Sequence, residues 1–148
     1  MNLTLVEIGR DGTIQQTGIV VAGIAAAVAQ ATGEMYRTTG YRPPWTGYLA
    51  SNGEQIVGTC AFKAAPSDGA VEIAYFTFPG YEGQGLATAM ARQLIDIAYA
   101  TDRSLKIIAH TPPERSAANA VLHKIGFLLL GDYEDPVAGT VWEWEYVR

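Results

Sequence analysis

The chain has 148 residues, of which 49% are hydrophobic and 17% are charged. This length predicts a single domain over residues 1–148, and the composition excludes a disordered or low-complexity protein. The net charge of −5, from ten Lys and Arg against fifteen Asp and Glu, argues against a nucleic-acid-binding protein, which usually has a basic face.

The first part of the chain is predicted to form a strand and then a helix. Loose alternation of apolar residues over 1–8 indicates the strand, and Asp11-Gly12 marks a turn. The Ala-rich segment 19–36 indicates the helix, which Gly33 is expected to interrupt. Gly and Pro residues then predict a loop over 38–44.

Three strands are predicted next. Residues 45–50 and 55–63 form a hairpin, because Asn52-Gly53 between them is a strong two-residue turn signal. Residues 71–78 are a nearly continuous apolar run that only Glu72 breaks. Such a run is typical of a central strand that is covered on both faces.

The rest of the chain alternates between helices and strands. Apolar residues recur every four positions over 85–99 and predict an amphipathic helix. A second helix over 114–124 is expected to end at Gly126. Short strands are predicted at 105–109, 127–130 and 141–147. This order predicts a mixed α/β domain whose sheet is antiparallel early and has a crossover connection later.

The glycine-rich turn Gly83-Gln84-Gly85 joins the central strand to the amphipathic helix. The first turn of a helix has unpaired N–H groups and a partial positive charge, and glycine lets an anion approach that backbone closely. The turn therefore predicts a phosphate or pyrophosphate site, with a simple tight connection as the alternative. Neither the repeated βαβ array of a dinucleotide-binding fold nor the Lys-Ser or Lys-Thr of a P-loop is present.

Two segments carry motifs that are known together from one protein family. Within 71–88, the six residues from Glu82 to Ala87 correspond to the motif Arg/Gln-x-x-Gly-x-Gly/Ala, with Glu82 at its first position. The segment 107–127 ends in Lys-Ile-Gly-Phe, a form of Lys-x-Gly-Phe. In this combination the sequence resembles the GNAT superfamily of N-acetyltransferases, most closely the ribosomal-protein alanine acetyltransferase branch. The resemblance implies a central mixed sheet of six to seven strands, with helices on both faces and a splayed pair of parallel strands.

The resemblance also implies a binding site for acetyl-CoA between the splayed strands. The backbone of 76–78 is expected to pair with the pantetheine, and the amides of the glycine turn are expected to hold the pyrophosphate. The residues assigned to the cofactor are Phe76, Thr77, Phe78, Gly83, Gln84, Gly85, Leu86, Ala87, Thr88 and Asn119. Arg115 is either another polar cofactor contact or a solvated charge. Glu82 departs from the family's usual Arg or Gln and places a carboxylate near the pyrophosphate.

Acyl transfer to an amine requires a base, because an alkyl amine is mostly protonated near pH 7. Glu72 is predicted to be this catalytic base, and a structural or rim carboxylate is the alternative. The family's usual acids are a Tyr or a Ser on the helix that corresponds to 114–124, and here Leu122 and Ala118 replace them. The identity of the acid is therefore left open among Tyr75, His110 and Tyr133.

The predicted function is acetyl-CoA-dependent N-acetylation of a primary amine, either a small molecule or a peptide N-terminus, by direct transfer in a ternary complex. The net negative charge favours a cationic acceptor, and Tyr36 and Tyr41 are predicted to line its pocket. The alternative is a catalytically weak acyl-CoA-binding module that acts through a protein partner. Alternating aromatic residues over 142–146 indicate either the core face of a sheet or the face of a homodimer.

Cysteine usage and hydropathy predict a cytoplasmic protein. Cys60 is the only cysteine, so no disulfide can form within the chain, and it is expected to be a small core residue. The stretch 18–29 is shorter than the roughly 20 apolar residues that span a bilayer, and 1–10 lacks the pattern of a signal peptide. Because that apolar stretch is short, no membrane partner is expected. His110 and His123 lack metal-ligand spacing, so no bound metal is expected.

Overall fold

The computed structural model describes residues 3–15 and 18–148, in which seven strands form one mixed sheet. The strands are β1 (Thr4–Glu7), β2 (Gly47–Ser51), β3 (Ile56–Phe62), β4 (Ala70–Thr77), β5 (Lys106–Thr111), β6 (Phe127–Asp135) and β7 (Gly139–Tyr146). Their order across the sheet is β1-β2-β3-β4-β5-β7-β6, and only β4 and β5 pair in parallel. The predicted mixed α/β sheet with one parallel pair is confirmed.

Three helices cover the two faces of this sheet: α1 (Ile24–Thr39), α2 (Leu86–Thr101) and α3 (Ala117–Ile125). Strand β2 shows how the faces separate, because successive side chains of a strand point to opposite sides. Leu49 packs in the cluster that contains α1, whereas Tyr48 and Ala50 pack in the cluster of α2 and α3. All five residues of β2 are therefore buried, as expected for a strand covered on both faces.

Helix α1 differs from its predicted range of 19–36 at both ends. It begins only after Gly23, whose φ of 58° is outside the helical region, and it continues to Thr39. Gly33 does not interrupt it, contrary to expectation. A Cβ at Gly33 would lie 2.5 Å from the backbone nitrogen of Gly12, so this glycine is needed where α1 packs tightly against the turn at Asp11-Gly12.

The C-terminal hairpin is longer than predicted. Residues 131–135, which follow the predicted strand 127–130, extend β6, and Asp135 pairs with Gly139 across a tight turn. The Asp135 carboxylate stabilises this turn by accepting hydrogen bonds from the backbone N–H groups of Val137 and Ala138. Trp144 is buried in the core of α2 and α3, which supports the core-face interpretation of the aromatic residues in β7.

The second half of the chain otherwise follows its periodicity. Helix α2 buries Met90, Leu94 and Ala98 completely, as the four-residue spacing predicts. Helix α3 begins three residues later than predicted, after the Ser116 side chain, which accepts a hydrogen bond from the backbone N–H of Asn119 at 3.3 Å. In the described residues, no helix has the length and apolar character needed to cross a membrane.

Candidate active site

The parallel strands β4 and β5 separate toward their C-terminal ends. Their paired residues run from Ala70 and Lys106 to Ile73 and Ala109. Beyond that point β4 continues to Thr77 beside β3, and β5 continues beside β7. Within the described residues no strand fills the gap between them, so the β4 edge of residues 74–77 that faces β5 is open to a ligand.

A cavity of about 370 Å³ lies at this opening, between β4, the glycine turn and α3. Gly85 adopts the left-handed conformation, with a φ of 78°, directly before α2, and no side chain caps the helix there. A Cβ on Gly83 or Gly85 would meet nothing within 4 Å. The start of α2 therefore presents free N–H groups to an open space, as an anion site requires.

Most residues assigned to the cofactor lie together at this cavity. Its wall includes Phe76, Thr77, Gly83, Gly85, Leu86, Ala87 and Thr88. Gln84 and Phe78 are not part of this wall, and the Phe78 side chain is buried in the cluster of α1. Asn119 lies away from the cavity, and its buried amide donates a hydrogen bond to the carbonyl of Glu114.

The unexpected carboxylate of Glu82 has a partner in its own turn. It accepts a hydrogen bond from the backbone N–H of Gly80 at 2.8 Å. This contact ties the carboxylate back toward residues 79–80 while Glu82 still borders the cavity. The departure from the family motif therefore stabilises the turn.

A polar cluster surrounds Glu72 on the sheet face opposite α2 and α3. The Oε2 atom of Glu72 lies 2.9 Å from Nζ of Lys63 and 3.3 Å from Nδ1 of His110. Nε2 of His110 lies 2.9 Å from Oε2 of Glu143, and the Tyr133 ring stacks on the imidazole at 4.7 Å. Among the described residues, no group of His, Cys, Asp and Glu is arranged to hold a metal ion.

Glu143 is a site residue that sequence analysis missed. The alternation of β7 places it on the same face as Glu145, but only the pairing of β7 with β5 brings it opposite His110. The residues that pair are more than thirty positions apart in the chain.

Tyr75 lies where the two strands part. It borders both the cavity beside the glycine turn and a smaller notch of about 200 Å³ that His110, Ala118 and Leu122 also line. Its hydroxyl donates to the carbonyl oxygen of Ala118 at 3.3 Å, and burial raises the pKa of Tyr75 to about 12. A protonated phenol thus lies beside the two positions at which the family's usual acids are replaced.

The two tyrosines predicted for the acceptor pocket have other partners. Tyr36 is buried, and its hydroxyl donates to the carbonyl of Ile8 at 2.9 Å and accepts from the N–H of Gly47 at 2.8 Å. It is a core residue that offers a substrate no free surface. The Tyr41 hydroxyl donates to Glu7 at 2.7 Å, and this hydrogen bond raises the pKa of Tyr41 to about 12.

Comparison with known proteins adds the family and the fold. The family model described as an acetyltransferase (GNAT) domain matches residues 14–128. No curated protein matches the sequence significantly.

Among solved structures, a spermidine N-acetyltransferase chimera that includes the Vibrio cholerae enzyme is 15% identical, with a TM-score of 0.69, and the match covers 98% of this chain and 95% of that one. RimL, a ribosomal-protein N-acetyltransferase in complex with coenzyme A, is 20% identical, with a TM-score of 0.63 and coverage of 83% and 71%.

The aminoglycoside acetyltransferase AAC(6')-Ib, solved with acetyl-CoA and an aminoglycoside, is 24% identical, with a TM-score of 0.59. This match covers 70% of the present chain and 64% of that enzyme, so the chain spans slightly less than two thirds of its length. At these identities the structural matches describe a shared fold.

Proposed function

The chain belongs to the GNAT acetyltransferase family, as its motifs predict, and we propose that it transfers an acetyl group from acetyl-CoA directly to a primary amine in a ternary complex. The observation that carries this proposal is the separation of β4 and β5 at their C-terminal ends, beside the open glycine turn. The free edge of β4 suits the amides of the pantetheine, and the N–H groups at the start of α2 suit the pyrophosphate. Solved neighbours in complex with coenzyme A or acetyl-CoA support it.

In the proposed chemistry, acetyl-CoA supplies the thioester and two side chains of this protein move the protons. Glu72 accepts a proton from the acceptor amine, which frees the nitrogen lone pair to form the new C–N bond. As the C–S bond breaks, Tyr75 donates its hydroxyl proton to the leaving sulfur, and the phenolate regains a proton from the nitrogen, which loses its second hydrogen as it becomes the amide. The alternation of β4 places Glu72 and Tyr75 on opposite faces of the sheet, which supports this division of roles, since acceptor and cofactor can then approach from opposite sides.

We propose that the acceptor is a cationic primary amine, either a small molecule or the N-terminus of a peptide. The carboxylates of Glu72 and Glu143 lie on the sheet face that α2 and α3 leave open, and the chain carries a net charge of −5. Both features favour a positively charged ligand. The solved neighbours include proteins named for spermidine, aminoglycosides and ribosomal proteins, all of which offer amines.

The cofactor site is tested by calorimetric titration with acetyl-CoA. In the variant Ala117→Trp, an indole from the first turn of α3 fills part of the proposed cavity, and we expect binding to weaken at least tenfold. Ala120→Trp is the matched control, because Ala120 is exposed on the same helix and does not line that cavity. A well-folded wild-type protein that fails to bind acetyl-CoA would contradict the proposal. Binding without turnover on any amine would favour the alternative, an acyl-CoA-binding module.

We further propose a single cytoplasmic domain over residues 1–148 that forms a homodimer through β6, without a nucleic-acid or membrane partner. Strand β6 is the last strand of the sheet, and its Leu128, Leu129 and Leu130 are 60%, 44% and 55% exposed. Antiparallel pairing of two β6 strands about residues 130–131 sets the acidic segment 132–135 of one copy opposite residues 126–129 of the other, which directly follow Lys124 and Ile125 in the chain. The acidic segment of each copy therefore lies near a lysine of the other.

The dimer is tested by light scattering after gel filtration. Leu130→Lys places a charge on the pairing edge, and we expect it to yield a monomer. Val137→Lys is the control, because Val137 is 96% exposed at the hairpin turn. A wild-type protein that stays monomeric at high micromolar concentration excludes this interface.

A further inference from the structure

His110 connects two carboxylates that come from different strands. Its side chain is only 8% exposed, with Nδ1 at 3.3 Å from Glu72 and Nε2 at 2.9 Å from Glu143. The ring is fixed in this position, because Tyr133 stacks on it with an interplanar angle of 18°. His110 is thus the only described link between Glu72 and Glu143.

The two contacts constrain where protons can lie. Nε2 must donate its hydrogen to Glu143, since a carboxylate oxygen accepts. Nδ1 is buried and faces the Oε2 atom of Glu72 without a well-directed hydrogen bond. A deprotonated ring nitrogen and an ionised carboxylate are both acceptors, so their contact is favourable only when one proton lies between them. When that proton is on the imidazole, Glu72 is ionised and can act as a base.

We propose that His110 and Glu143 are positioning residues that keep Glu72 ionised and therefore ready to accept the proton of the acceptor amine. This inference rests on the proposed acetyl transfer. Glu72 takes that proton while His110 keeps the protons on both of its ring nitrogens, and Glu72, whose side chain is 19% exposed, passes the new proton to water after the product leaves. Glu143 accepts the Nε2 hydrogen bond throughout and holds the imidazole beside Glu72.

The charges around His110 agree with this role. Glu72 on β4 and Glu143 on β7 flank the ring, Tyr133 on β6 covers its face, and Lys63, directly after β3, lies beside Glu72. Asp135 at the end of β6 also interacts electrostatically with His110. Three carboxylates thus place negative charge around the imidazole, and Lys63, whose side chain is 54% exposed, offsets it only through a solvent-screened charge.

The kinetic test compares Glu143→Gln with Glu145→Gln. Glutamine at 143 still accepts the hydrogen bond from Nε2 but removes the negative charge. Without that charge the shared proton moves toward Glu72, so a smaller fraction of the enzyme has Glu72 available as a base. We expect the acidic limb of the kcat/KM profile to move to higher pH, with the KM for acetyl-CoA unchanged. Glu145 lies opposite Ile108 on the same face, so its variant should retain the wild-type profile.

A second measurement tests the bridge without any turnover. The chain has only two histidines, so nitrogen-15 spectra of labelled imidazoles are simple to assign. We expect a slowly exchanging Nε2–H signal from His110 in the wild-type protein and its loss in Glu143→Ala, with His123 as the internal reference. Identical pH profiles for the Gln variants at 143 and 145, or a His110 signal that persists in Glu143→Ala, overturn the proposed positioning role. Wild-type protein without acetyl-CoA binding would overturn the acetyl transfer itself.

Discussion

Replacing Glu72 by Gln is expected to reduce kcat by a factor of about 10² to 10⁴, the usual contribution of a general base. The amide has a similar shape but cannot accept the proton of an ammonium acceptor. The affinity for acetyl-CoA should be unchanged, because Glu72 is not part of the cofactor cavity. The measurement combines initial rates of thiol release, with the best amine of a panel that includes spermidine and an N-terminal peptide, and calorimetric titration of acetyl-CoA.

The variant Lys63→Gln separates this role from a purely structural one. Lys63 and Glu72 form an ion pair at 2.9 Å, and the Lys63 side chain is 54% exposed. Such a pair contributes at most about 1 kcal/mol to stability. If Glu72 served only this ion pair, both variants would lower the melting temperature slightly, and their kcat values would be the same. A large loss of kcat in Glu72→Gln that Lys63→Gln does not share assigns Glu72 to the chemistry.

The local features of this protein were predictable from its sequence, because they depend on neighbouring residues. The central strand, the glycine turn and the buried face of α2 can each be inferred from spacing within fewer than twenty residues. The residues of the cofactor cavity therefore follow from one continuous segment, 75–88, and from α3. The predicted start of α1 was wrong, because the prediction followed the Ala-rich composition. The positive φ of Gly23 is outside the helical region, so the helix begins only after it.

The features that were missed depend on register between distant strands. The distance between His110 and Glu143 follows from the pairing of β5 with β7, and no local pattern specifies that pairing. Tyr36 illustrates the opposite error, since an aromatic residue beside a loop suggests a pocket wall, yet its hydroxyl satisfies main-chain groups of Ile8 and Gly47. Whether a polar side chain is free for a ligand is decided by partners that only the folded chain brings together.

Replacing Tyr75 by Phe is expected to lower kcat by about 10² while the affinity for acetyl-CoA stays unchanged. Burial raises the pKa of Tyr75 to about 12, so its phenol is protonated throughout the neutral range and can act only as a donor. The loss of kcat should therefore be the same from pH 6.5 to pH 9. Glu143→Gln differs, because there the acidic limb of the kcat/KM profile is expected to shift. The measurement is a kcat profile over this range, with Tyr133→Phe as the control for loss of a phenol near His110.

Loss of the acid should lower kcat less than loss of the base, because the chemistry requires the two proton transfers to different degrees. An alkyl amine with an ordinary pKa of about 10.4 must lose a proton near neutral pH, whereas a thiol with a pKa of about 8.5 leaves well as a thiolate. Tyr75→Phe should consequently cost less than Glu72→Gln. If Tyr75→Phe retains full kcat, the sulfur leaves unprotonated, and the replacement of the usual acids by Ala118 and Leu122 is then explained by a reaction that needs no acid.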